Sequence, residues 1–248
     1  MPCPERPLSA PILPPVAPGR RDHRLKSILG RPSGVLVVHE LYRSLQGEGT
    51  FAGLPCVFVR LTACHLRCSY CDTPHAFNHG EPIALRALLE RILAIAAPGD
   101  LIEVTGGEPL LQDEALPLMS GLADAGRVVL LETSGACDIG PVDPRVRIIL
   151  DLKTPGSGEE QANLWDNLAK LKPTDEVKVV VCDRPDFDWA LERIREHRLV
   201  ERCPVLVSPA HGRVDAAELA AWILESGLPL RLQVQLHKQL WGPDARGV

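Results

Sequence analysis

The sequence predicts an α/β fold assembled from successive parallel β-α units, and three observations point that way. Apolar runs of strand length alternate with segments of helical periodicity. About six such units can be counted, whereas a complete eight-unit barrel typically takes about 250 residues. Every unusual motif falls at the C-terminal end of a predicted strand, where parallel α/β folds gather their chemistry. A partial barrel and an open doubly wound sheet both satisfy these conditions.

The elements follow in order. Residues 35–41 read as a strand leading to the glycine-rich Ser-Leu-Gln-Gly-Glu-Gly turn at Ser44 to Gly49. Residues 56–62 alternate, with Val57, Val59 and Leu61 on one face. Helical spacing covers residues 83–97, through Leu85, Leu88, Leu89, Ile92, Leu93 and Ala96, until Pro98-Gly99 stops it. Strands are expected at 101–105, 128–132, 146–151, 177–181, 205–208 and 230–235. Helices are expected at 116–125, 187–197 and 216–225. Residues 1–32 hold eight of the 23 prolines. Proline fixes φ and removes backbone donors, so this stretch is expected to be a disordered extension ahead of a domain at 33–248. A start codon chosen too far upstream would leave the same signature.

Composition narrows the function classes. The 248 residues are 45% hydrophobic and 24% charged, ordinary for a soluble chain. No apolar run approaches the roughly 18 residues of a membrane helix. The net charge of −5 and pI near 5.9 argue against a nucleic-acid partner, which favours a basic stripe. The first residues lack a basic region followed by an apolar one, so no secretory signal is expected and the location is read as cytoplasmic.

Three of the eight cysteines crowd into Cys64-His65-Leu66-Arg67-Cys68-Ser69-Tyr70-Cys71, a C-x3-C-x2-C pattern. Three thiolates on one loop can hold three irons of a [4Fe–4S] cube and leave the fourth open to a small molecule. A structural zinc site completed by His75 or His79 competes with that reading. A redox pair of Cys68 and Cys71 does so too, though it leaves Cys64 unexplained. Thr105-Gly106-Gly107-Glu108-Pro109 follows a predicted strand, and paired glycines admit a ligand where a Cβ would collide. Cys3, Cys56, Cys137, Cys182 and Cys203 show no ligand spacing and read as small buried hydrophobes.

The cysteine pattern, with an aromatic residue before its third cysteine and a Gly-Gly-Glu segment after it, resembles the radical S-adenosylmethionine superfamily. The resemblance implies a partial (β/α)6 barrel and a [4Fe–4S] cluster on Cys64, Cys68 and Cys71. Its open iron would chelate S-adenosylmethionine, with Tyr70 near the adenine and Gly107 facing the methionine moiety. Leu45-Gln46-Gly47-Glu48-Gly49, Arg60, Cys71-Asp72-Thr73 and Gln235-Leu236-His237-Lys238 narrow the match. Together they resemble the 7-carboxy-7-deazaguanine synthase family of deazapurine (queuosine) biosynthesis, from about Val37 to the C-terminal residues.

That family resemblance implies that Leu45, Gln46, Gly47, Arg60, Thr105 and His237 meet a carboxypterin substrate. Arg60 would pair with the substrate carboxylate, and Thr73 would ligate Mg2+. Taken alone, Arg60 also reads as an outward strand residue, and a threonine in the place of Thr73 is more often a turn residue or helix cap. Asp72, Asp151, Leu152, Lys153 and Ser208 would contribute to the cofactor site, with Glu132-Thr133 a weaker candidate. The sequence departs from the family pattern at Asp151-Leu152-Lys153, where many relatives have Ser-Pro-Lys, and at Ser208-Pro209, where others have Gln-Pro. A homodimer and an external electron donor such as flavodoxin are also implied. Two rivals are a glycyl-radical activating enzyme, which shares the cysteine spacing and Thr-Gly-Gly-Glu-Pro, and a zinc-stabilised binding module without catalysis.

Overall fold

Val35–Leu45 (β1) runs antiparallel to Pro55–Leu61 (β2) on one side and to Glu81–Ala84 (β3) on the other. From β2 onward the strands are parallel: Leu101–Gly106 (β4), Val129–Thr133 (β5), Arg147–Leu152 (β6), Glu176–Val181 (β7), Val205–Pro209 (β8) and Arg231–Leu232 (β9). The computed structural model describes residues 24–248 and joins these strands in one sheet of order β3-β1-β2-β4-β5-β6-β7-β8-β9.

Four of the connections between parallel strands carry an α-helix: Leu85–Ile95 (α1), Ala115–Asp124 (α2), Arg184–Glu196 (α3) and Ala216–Ser226 (α4). Capping explains where the last two begin and one ends. The Asp183 side chain accepts from Asp186 N at the start of α3, and Asp215 accepts from Ala217 N and Glu218 N at the start of α4. Gly227 then ends α4 in the left-handed region at φ +67°. Residues 134–146 and 153–175 cross over without an α-helix, and a short helix, Leu236–Leu240 (α5), closes the fold.

The alternation along each strand divides its residues between two environments. Val57, Val59 and Leu61 turn outward into the main core with Ile102, Val104, Leu131, Val177 and Val179. There they meet Leu88, Ile92, Leu118, Met119, Phe187, Ile194 and Trp222 from the helices. Each fully buried side chain of this type contributes about 1.5–3 kcal/mol. Inward-facing Cys56, Phe58, Leu101, Leu130 and Ile149, with Tyr42 and Phe51 against them, make a separate apolar plug at the N-terminal ends of the strands.

The sheet is curled. Seven strand spacings of about 4.8 Å would separate β1 from β9 by roughly 34 Å in a flat sheet. Yet Gly49 N, just past β1, donates to Gln233 Oε1 just past β9, at 2.6 Å. Leu236 N likewise donates to Gly47 O at 3.1 Å. This is the partial barrel that the resemblance implied.

Several expectations change at the margins. The first strand is antiparallel to its neighbour, because periodicity carries no information on direction. Ile83 lies on β3 and not on the following helix; Pro82 lacks a donor and suits an edge strand. The last strand is only two residues long. Of the expected N-terminal extension, residues 1–23 lie outside the described residues. Leu25 beyond them is buried, and the Arg24 guanidinium donates to His65 O, so this part packs against the cysteine loop.

Candidate active site

The cysteine loop leaves β2 through Ala63, a fully buried residue at φ +80°, a conformation costly for a side chain. Two hydrogen bonds hold it there: Ala63 N donates to Ala76 O at 2.9 Å, and Glu108 N donates to Ala63 O at 2.8 Å. Downstream, Arg67 N donates to Glu159 Oε1 at 2.6 Å and Ser69 N to Ser157 O at 2.9 Å. The Arg67 guanidinium lies 4.0 Å from the Phe77 ring centroid. The loop is therefore fixed at both ends, and Cys64, Cys68 and Cys71 all line one cavity of about 240 Å³. Burial pushes the Cys64 thiol up to about 12, helped by the Glu108 carboxylate, and burial also raises Cys68. The Lys153 ammonium acts in the opposite direction on both. Burial thus disfavours the free thiolates of Cys64 and Cys68, and a bound cation would favour them.

The Gly-Gly-Glu segment fits against that loop, and the glycines answer to the chain itself. A Cβ on Gly106 would lie 2.2 Å from Leu61 O, and one on Gly107 would lie 2.1 Å from Ala63 O and 2.9 Å from Cys64 Cβ. Strands β2 and β4 meet here backbone to backbone. Glu108 is completely buried and accepts from Thr133 Oγ1 at 2.9 Å, Ser134 N at 2.7 Å and Leu110 N at 3.0 Å. It ties the end of β5 to the end of β4.

On the side of the cysteine loop the cavity presents polar atoms without partners. Tyr70 OH, Asp151 Oδ1 and Ser208 Oγ are buried with no hydrogen bond, and all three residues line the cavity. A buried polar atom left unpaired costs about 1–3 kcal/mol, so three around one cavity mark the place of a polar ligand. Lys153 Nζ stands 2.6 Å from Asp151 Oδ2 and 5.8 Å from the centre of the Tyr70 ring. A zwitterion with a nucleoside group, beside an open cluster iron, suits this set: carboxylate, ammonium, phenol and hydroxyl. Leu152 is the exception among the expected cofactor residues. Its side chain packs in the outer core, and it does not line the cavity.

The other end of the cavity is organised by Lys178. Its ammonium is buried and pairs with Glu48 and with Glu132 Oε1, the latter at 2.8 Å. Burial alone would lower Lys178, but Glu132 and Glu48 hold it well above the usual range. Glu48 also accepts from Gln233 Nε2 at 2.8 Å and Gln235 Nε2 at 2.7 Å. This fastens the Leu-Gln-Gly-Glu-Gly turn to the segment carrying His237, whose Nδ1 would be 3.4 Å from a Cβ on Gly47. Gln235 Nε2 reaches Asp72 Oδ2 at 2.9 Å, and Lys238 Nζ lies 3.4 Å from the same oxygen. Burial would raise the Asp72 carboxyl, yet Lys238 and Gln235 hold it down at about 2.

Arg60 faces inward, which removes its reading as an outward strand residue. Its Nε donates to Glu40 Oε2 at 3.0 Å and its Nη2 to Tyr42 OH at 3.2 Å. Thr73 precedes the short 3-10 turn Pro74–Phe77 but its side chain makes no capping bond; its hydroxyl lies 3.9 Å from Cys71 Sγ. Leu45, Gln46, Gly47, Arg60, Thr73, Thr105 and His237 all line the cavity. Of the residues in the zinc alternative, His75 lies on the wall and His79 does not. Cys56, Cys137, Cys182 and Cys203 are buried free thiols, while Cys3 lies outside the described residues.

Glu48, Glu103 and Lys178 had no place in the expected site. For two of them a signal was present: Glu103 and Lys178 interrupt the mostly apolar Leu-Ile-Glu-Val-Thr and Glu-Val-Lys-Val-Val-Val strands. Glu103 accepts from the Gln46 amide, and burial together with the Glu132 carboxylate pushes it up to about 8. A folded value above the unfolded one of about 4.5 means that its contribution to stability is full below pH 4.5 and lost as pH rises through 8. Glu103→Gln is therefore expected to gain stability relative to the wild type between pH 5 and pH 8. Urea midpoints at several pH values measure this, and a constant difference across that range would refute it.

Comparison with known proteins places this arrangement. The sequence model of the Radical SAM superfamily matches residues 59–154, which span the cysteine loop, the Gly-Gly-Glu segment and Lys153. The 7-carboxy-7-deazaguanine synthase of Chlorobaculum tepidum is 44% identical, over 86% of this chain and 97% of the relative. That of Koribacter versatilis is 43% identical, over 85% and 99%. The crystal structure of QueE from Escherichia coli superposes with a TM-score of 0.65 at 23% identity, covering 80% of this chain and 92% of that one. The fold and site define a radical S-adenosylmethionine protein, with a [4Fe–4S] cluster and S-adenosylmethionine as its cofactors. Within that class, the chain belongs to the 7-carboxy-7-deazaguanine synthase family.

Proposed function

We propose that the protein is a lyase converting 6-carboxy-5,6,7,8-tetrahydropterin to 7-carboxy-7-deazaguanine with loss of ammonia. The observation that carries this reading is the single cavity on which the three thiols, the unpaired Tyr70, Asp151 and Ser208 atoms and the Gln46–Glu48 turn converge. Kinship at 44% identity over most of both chains supports the same reaction.

In this reading Cys64, Cys68 and Cys71 hold the cluster, and Tyr70, Asp72, Gly107, Asp151, Lys153 and Ser208 hold the sulfonium cofactor. When bound, the cluster and cofactor would supply radical chemistry able to remove hydrogen from C6 of the substrate. The protein's own part is to orient, neutralise and exclude water. Arg60 offers guanidinium donors to the substrate carboxylate. Leu45, Gln46, Gly47, Thr105 and His237 set the pterin ring against the cofactor side, where misplacement by about 1 Å costs up to 100-fold in rate. The Thr73 hydroxyl would hold Mg2+, a hard ion suited to oxygen ligands that would supply positive charge to the substrate's carboxylate end. A flavodoxin-like donor, a homodimer and a cytoplasmic location complete the reading. No helix among the described residues is long and apolar enough to cross a membrane.

Reconstituted protein incubated anaerobically with S-adenosylmethionine, reductant, Mg2+ and the carboxypterin is expected to release 7-carboxy-7-deazaguanine and ammonia. No product, with or without Mg2+, would rule out this reaction. Thr73→Ala is expected to keep its iron and sulfide while the Mg2+ concentration giving half-maximal rate rises. An unchanged Mg2+ response would take Thr73 off the metal.

A further inference from the structure

The pairing of β1 with β2 slips between Val38 and Glu40. A bulge re-aims a side chain that strict alternation would send to the opposite face. Here the extra residue is His39, and its imidazole sits beside the Glu40 carboxylate and His75, which comes from the short turn after the cysteine loop. Each of the three residues offers one ligand atom, and these atoms all lie within 4.8 Å of one another. The two imidazole centroids are 5.1 Å apart, and His75 Nε2 is 4.0 Å from Glu40 Oε1.

Two details favour a metal over a plain ion pair. His39 Nδ1 lies 2.6 Å from His79 O. A carbonyl only accepts, so Nδ1 carries the hydrogen, and Nε2 is the ring nitrogen left to face a metal. Metal-ligating histidines are held in just this way by a bond from their other nitrogen. Glu40, for its part, gives Oε2 to Arg60 and leaves Oε1 on the side of His75.

We propose that His39, Glu40 and His75 bind a first-row divalent transition ion, best matched by zinc, at a site separate from the cysteine loop and from Thr73. Two imidazoles and a carboxylate are a common zinc donor set that leaves a fourth position open. Ligand atoms about 2.0–2.2 Å from a tetrahedral ion stand about 3.4 Å from one another, so the side chains must close by roughly 1 Å. Glu40 and His75 line the cavity and His39 does not, so the ion would sit in its wall beside Arg60. There it adds positive charge where an anionic ligand group would dock.

The test does not depend on turnover. Zn2+ is titrated anaerobically into the cluster-loaded full chain with Mg2+ in excess, by calorimetry, while visible absorption reports cluster integrity. Wild type is expected to take up one equivalent. His39→Ala and His75→Ala should each weaken it by ~100-fold or more, since losing even a supporting partner can cost that much. Zinc K-edge absorption of the loaded wild type reads the ligands without any variant and should show two imidazoles and no sulfur. No zinc on an intact holoprotein, sulfur ligation, or equal binding by wild type and both variants would overturn the proposal.

Discussion

Gly107→Ala is expected to strip the protein of its cluster while leaving all three thiols in place. The new Cβ would meet Ala63 O at 2.1 Å, Ala63 C at 2.5 Å and Cys64 Cβ at 2.9 Å. Two of these are backbone atoms, so no rotamer change relieves the collision. Ala63 is already held in the left-handed region, and its carbonyl accepts from Glu108 N at 2.8 Å. The first cysteine must therefore move away from the other two. Iron and sulfide per chain should fall sharply, and turnover by ~100-fold or more, the cost of about 1 Å of misplacement. Gly121→Ala is the control: it sits within α2, its Cβ would come no closer than 3.5 Å to Leu89 Cδ2, and alanine there gains up to about 1 kcal/mol. Wild-type iron content in Gly107→Ala would show that the close approach of β4 to the cysteine loop does not govern cluster binding.

Lys178→Met should unfold the other half of the site. Lys178 is the cation that Glu48 and Glu132 share, and Glu103 stands on the same cavity wall. Methionine fills much of the stem's volume, so the change is chiefly one of charge. Removing one partner from a buried ion pair costs about 3–5 kcal/mol, because the remaining charges stay buried and uncompensated. The Leu-Gln-Gly-Glu-Gly turn should loosen with it, because the Glu48 carboxylate loses its cation and only the turn's remaining bonds, among them Gly49 N to Gln233 and the Gln46 amide to Glu103, still hold it. Denaturant midpoints measure the first effect, and faster exchange of the hydrogen-bonded amides of Glu48 and Gly49 the second. A midpoint within error of wild type would mean that these carboxylates do not depend on the lysine.

Much of this site was legible before the fold was known, and for local reasons. Ligand spacing brought Cys64, Cys68 and Cys71 together because a short loop cannot carry them far apart. The alternation of Val57, Val59 and Leu61 sent Arg60 to the opposite face, although the sequence alone could not say that this face was the interior. What stayed hidden depended on distant partners. Glu103, Glu48 and Lys178 come from three well-separated segments, and only the curl of the sheet makes them one group. Gly106 and Gly107, at the end of β4, read as room for a ligand, while their nearer obligation is to Leu61 and Ala63. Strand β3 escaped because its Ile83 continued the helical spacing of α1, and strand direction at β1 has no periodic signature. The bulge at His39 is likewise visible only once Val38 and Glu40 have found their partners.

The account rests on three loop thiolates carrying an iron–sulfur cube whose remaining iron is open to S-adenosylmethionine. Electron paramagnetic resonance of the dithionite-reduced, reconstituted protein, recorded before and after S-adenosylmethionine is added, addresses this most directly. The expected result is a reduced-cluster signal whose g values shift on addition and which is lost in Cys68→Ala. A signal indifferent to S-adenosylmethionine, or no cluster signal from protein that has bound its iron and sulfide, would contradict it.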